Sequence, residues 1–96
     1  MRLTISEDKD QMVIKIEGRL VRPWTSELES TWGAINLGSK KLSLDISEML
    51  FIDDIGKQIL KNIVNTTSCE IRANSPLTKY FAGEIARTTM KPDREN

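Results

Sequence analysis

Histidine is absent from the chain, and cysteine occurs once, at Cys69. The first absence removes the commonest general base and the commonest metal ligand together. An enzyme built from this sequence would have to run on carboxylates, lysines or hydroxyls alone. The second absence excludes an internal disulfide, and Cys69 reads as a small buried apolar side chain rather than a reactive thiol. Net charge is missing too: 14 Lys and Arg balance 14 Asp and Glu. A nucleic-acid partner is therefore not expected, because phosphate neutralisation calls for a basic face. No long apolar run follows Arg2, so neither a signal peptide nor direct membrane insertion is expected. With a lone thiol, the expected setting is a reducing cytoplasm.

What is present is an ordinary globular composition over 96 residues, 39% hydrophobic and 29% charged, enough for a single core. Leu3 and Ile5 alternate with polar residues, and Met12, Ile14 and Ile16 do so more clearly. Two strands are predicted there, joined by a short polar turn as an antiparallel hairpin and closed by Gly18. Pro23 suits a first helical turn. Ser26 and Glu29 have capping-box spacing and offer a later start. The predicted helix spans 23–36, with Trp24, Leu28, Trp32 and Ile35 on its core face and Leu37-Gly38 as its stop. Leu42, Leu44 and Ile46 mark a strand returning parallel to the earlier one by a right-handed crossover. Ser47 to Leu50 reads as a connection, with Phe51-Ile52 bringing the chain back to the core. A second helix follows from Asp53, then a strand through Cys69, Ile71 and Ala73. A third helix from Ser75-Pro76 turns Leu77, Phe81 and Ile85 inward. The order β-β-α-β-α-β-α predicts an α/β fold with a four-stranded mixed sheet and about three helices. The domain is expected over 1–87, with a polar tail over 88–96.

The start of the second helix concentrates the features of interest. Asp53 or Asp54 can cap it, and acidic charge suits the positive end of the helix dipole. Gly56 in the first turn costs about 1 kcal/mol against alanine, which hints at a close neighbour. Lys57 and Lys61 follow one turn apart on the wet face. Asp45, Asp53 and Asp54 could be taken for a receiver-like Mg²⁺ site, but a receiver needs five βα units and this chain is too short. No catalytic dyad, phosphate-cradling loop or metal cluster can be assembled. The expectation is therefore binding without catalysis, cofactor or metal.

The stretch Leu44-Asp45-Ile46-Ser47-Glu48-Met49-Leu50-Phe51-Ile52-Asp53-Asp54-Ile55-Gly56 resembles the STAS domain, the family that includes bacterial anti-sigma-factor antagonists. The resemblance extends back through Ile14-Lys15-Ile16-Glu17-Gly18-Arg19-Leu20 and covers about residues 3–87. The family pattern is a strand ending in Leu-Asp-Leu/Ile-Ser, an aromatic-aliphatic pair, then Asp-Ser-x-Gly at a helix start. In that family the serine is phosphorylated by a partner kinase, and the modification releases the complex. Asp53 and Gly56 match the pattern, whereas Asp54 stands at the phospho-acceptor position and has no hydroxyl to modify. The resemblance thus implies an antagonist-like protein-binding module in bacterial regulation, docking an anti-sigma or kinase-like partner without the serine switch. The expected partner-binding residues are Asp53, Asp54, Ile55, Gly56, Lys57 and Lys61, with the Ser47 to Leu50 connection beside them. A second reading is an accessory STAS subunit bound to the ATPase of a lipid-transport ABC system. A ligand-sensing domain for a nucleotide or small anion is a weaker one, since the acidic pair occupies the place where phosphate would sit. A second copy of the chain is a further candidate partner.

Overall fold

The structure, a computed structural model, describes residues 1–89 of the chain. Five strands and three helices follow in the order β1 (Arg2–Glu7), β2 (Gln11–Leu20), α1 (Trp24–Ala34), β3 (Lys41–Asp45), β4 (Met49–Ile52), α2 (Asp54–Thr67), β5 (Glu70–Arg72) and α3 (Pro76–Thr89). The expected α/β class holds, with one strand more than the four predicted. β1 and β2 form the expected antiparallel hairpin, and β3 returns parallel to β2. The sheet order is β1-β2-β3-β5, and β4 pairs with the far end of β2.

The extra strand is the segment read as a connection. β4 runs parallel to β2 through Gly18↔Met49, Arg19↔Phe51 and Leu20↔Ile52, with the register shifting between Gly18 and Arg19. Leu50 is the residue passed over, and it stands 65% exposed. Such a bulge breaks the two-residue alternation by which a strand is recognised. Met49 and Ile52 are buried whereas Leu50 and Phe51 face outward. Phe51 therefore does not rejoin the core; the Arg19 guanidinium lies 5.4 Å from its ring centroid. Nor does Gly18 end β2. Its φ of +85° bends the strand, and pairing resumes with β4 beyond it.

One hydrophobic cluster holds the layers together. Met12, Ile14, Ile16 and Leu20 of β2, Leu42 and Leu44 of β3, Leu28 of α1, Ile59, Leu60 and Ile63 of α2, and Phe81 and Ile85 of α3 all belong to it. Cys69 packs against this cluster half-buried rather than fully buried, and burial pushes its thiol pKa up.

α1 is shorter than predicted and turned differently. It ends at Ala34, before Leu37-Gly38, and the Arg22-Pro23 peptide is cis. Ser26 does not cap: its hydroxyl donates to the Pro23 carbonyl at 2.8 Å. Thr25 and Leu28 are the buried residues, Trp32 is half-buried, and Trp24 is 47% exposed. The start of α3 is fixed by a reciprocal exchange in which Thr78 N–H donates to Ser75 Oγ while Ser75 N–H donates to Thr78 Oγ1, both at 3.1 Å. Thr78 is buried there, whereas Leu77, expected inward, is exposed. The predicted tail over 88–96 begins inside this helix, and from position 90 it lies outside the described residues.

Candidate functional site

β2 and β4 end side by side, and α2 starts immediately above them. Asp53 joins the three. Its Oδ1 accepts from Gly56 N–H at 2.7 Å and its Oδ2 from Arg22 N–H at 3.0 Å, while its own N–H donates to the Leu20 carbonyl at 3.1 Å. One carboxylate thus caps α2 and ties down the chain leaving β2. Burial pushes the Asp53 pKa up, but the hydrogen bonds from Gly56 and Arg22 and the Arg22 charge outweigh it and hold the carboxyl below its ordinary value.

Gly56 is buried for a steric reason. A Cβ there would lie 2.8 Å from the Leu20 carbonyl oxygen, 2.9 Å from Leu20 Cγ and 3.0 Å from Ile52 Cγ1. The close neighbour that Gly56 hinted at is therefore the end of β2. This permits α2 to sit directly on the strand ends, with Gly56 buried beneath the exposed Asp54 and Ile55.

Asp54 has no part in this scaffold. It occupies the first turn of α2, is exposed, and among the described residues its side chain makes no hydrogen bond or ion pair. Of the two candidate caps, Asp53 is the one used. Ile55 beside it is exposed. Lys57 reaches across to α3, its Nζ 3.7 Å from Glu84 Oε1. Phe51, Asp53, Asp54, Lys57, Tyr80 and Glu84 surround an open groove of about 380 Å³ floored by Ile52 and Phe81. Lys61, one turn further along α2, does not line it.

Asp45 is held apart from the acidic pair by its own turn. Ser47 donates to Asp45 Oδ1 from its N–H at 3.0 Å and its hydroxyl at 2.6 Å. Burial pushes this carboxyl up, and the Ser47 bonds with the Lys15 and Arg72 charges bring it down overall. Ser47 is thus a structural residue, while the exposed parts of the expected connection are Glu48 and Leu50. Among the described residues no group of acidic, cysteine or histidine side chains is arranged to hold a metal ion. No described helix is long and apolar enough to cross a membrane. Tyr80 and Glu84 of α3 were not anticipated. The only sequence signal for Tyr80 was an aromatic one position before the inward Phe81, on the wet side of the stripe.

No family model matches the chain, and no curated protein matches it.

Proposed function

We propose that this chain is a STAS-like, non-catalytic protein-binding module of bacterial regulation, and that its partner docks on the groove at the start of α2. The observation that carries the reading is a division of labour. Asp53 and Gly56 perform the structural tasks at the helix start, and Asp54, Phe51 and Tyr80 are left exposed around a groove. Aromatic side chains beside charge are the usual anchors of an interface. The element order, with Asp53 and Gly56 at the helix start, supports the family resemblance. Asp54 offers one permanent charge where a phosphoserine would bring about −1.5 to −2, so the module would bind without a phosphorylation cycle. An anti-sigma or kinase-like protein is the partner favoured by the resemblance. The ABC-transporter ATPase is the alternative, favoured by the constant exposure of Leu50 and Phe51, since permanent interfaces are the more apolar ones.

The test compares Asp54→Lys with Glu29→Lys, an exposed position on α1, with circular dichroism confirming that both fold. The partner is captured from native lysate, identified by mass spectrometry and purified. Asp54→Lys should weaken its binding by about 2–5 kcal/mol if the pair is desolvated, and by less at the rim. Glu29→Lys should bind like the parent. Loss of binding in Glu29→Lys alone would move the docking surface to α1 and reject this reading.

A further inference from the structure

We infer that the free edge of β1 is a self-association surface, on which two copies of this chain pair antiparallel and join their sheets into one. This does not rest on the reading of the α2 groove. The hairpin decides which backbone groups are available. Asp8 N–H donates to the Gln11 carbonyl at 2.9 Å, so Asp8 and Gln11 form a hydrogen-bonded pair. Such pairs alternate along an unbroken antiparallel ladder, and the β1–β2 register runs without a shift from Glu7↔Met12 to Arg2↔Glu17. Ser6, Thr4 and Arg2 therefore turn their N–H and C=O groups toward β2, and those of Leu3, Ile5 and Glu7 point away from the sheet. Among the described residues, no strand pairs with that side of β1.

Edge strands of monomers are guarded by brevity, charge, proline or a bulge. β5, at the other end of the sheet order, is guarded: it is three residues long, and Glu70 and Arg72 carry charge. β1 is six residues long, and its central Leu3-Thr4-Ile5-Ser6 has none of these devices. Ile5 is 41% exposed although it stands opposite the fully buried Ile14.

The strand is also complementary to itself. A two-fold axis perpendicular to the sheet keeps the core side of both copies on the same face, so directly opposed residues must share a face. With Ile5 on that axis, Ile5 meets Ile5 of the second copy, Thr4 meets Ser6 and Arg2 meets Asp8. The outward N–H and C=O groups of Leu3, Ile5 and Glu7 then fall where antiparallel pairing needs them. Hydroxyl opposite hydroxyl and cation opposite carboxylate are favourable cross-strand pairs. Leu3 opposite Glu7 is the one poor match, and the Glu7 carboxylate is drawn aside by its ion pair with Lys40. An edge contact of this length buries less than the roughly 1,600 Å² of a standard interface, so the dimer is a weak one.

Sedimentation of the full chain from low micromolar to millimolar concentration reads the association directly. The mass should rise from 10.9 kDa toward twice that value. Amide exchange followed by NMR should show Leu3, Ile5 and Glu7 gaining protection with concentration, while Thr4 and Ser6 are protected throughout. Ile5→Lys alters an exposed side chain, and Arg2→Asp sets like charges against Asp8. Each should keep the parental circular dichroism and weaken the dimer by about tenfold or more. A monomer at every concentration, protection that ignores concentration, or a dimer indifferent to both substitutions would each overturn the inference.

Discussion

Gly56 and Asp53 together set the height of α2 above the sheet, one by leaving out an atom and the other by accepting two hydrogen bonds. Gly56→Ala adds a Cβ 2.8 Å from a backbone carbonyl oxygen, and no rotamer change relieves a clash with backbone. Overpacking of this kind costs about 1–3 kcal/mol, against a helix-propensity gain of at most about 1. A net loss of about 1–2 kcal/mol should lower the thermal midpoint by roughly 4–8 °C per kcal/mol, measured by circular dichroism. An unchanged midpoint would mean that α2 is free to ride up. For Asp53 the sign follows from its lowered pKa. A carboxyl depressed in the folded state adds stability above its ordinary value of 3.8 and loses it as pH falls through the folded value. Asp45 behaves in the same sense through Ser47. Urea unfolding from pH 6 downward should therefore show stability falling below about pH 4. Asp53→Asn should be less stable at pH 6 and fall less steeply; an equally steep fall would remove Asp53 from the acid response.

At the scale of elements, the sequence was legible wherever one periodicity acted alone. The β1–β2 hairpin alternates, and α2 buries Ile59, Leu60 and Ile63 at helical spacing beneath a wet face. The candidate site was legible to the same extent, with Asp53, Asp54 and Lys57 brought to one groove. β4 was illegible because a bulge at Leu50 and an outward Phe51 leave four apolar residues without alternation. Tyr80 and Glu84 were missed because they join the groove only through the packing of α3 beside α2, which no local pattern encodes. In α1 two residues of similar appearance part company. Helix formation begins at Trp24, so the buried stripe runs through Thr25, Leu28 and Trp32, and Trp24 falls beside it. Acrylamide should therefore quench Trp24 strongly and Trp32 weakly, read in Trp32→Phe and Trp24→Phe respectively. Equal quenching would place both indoles in one environment and contradict this orientation of α1.

Across the whole molecule, β2 is the member to which most others answer. It pairs with β1, β3 and β4, supplies four residues to the core, and ends on the carbonyl that Asp53 holds. The α2 groove is thus anchored to the centre of the sheet, while the free edge of β1 lies at its margin. At the groove itself stands Asp54, whose side chain no hydrogen bond or ion pair ties to the scaffold among the described residues. Its charge meets the positive end of the α2 dipole, a contribution of about 0.3–1 kcal/mol that leaves the position open to exchange. An exposed residue 54 can therefore trade its fixed charge for a hydroxyl, or the reverse, with the fold intact, because substitutions at such positions usually stay within about 0.5 kcal/mol.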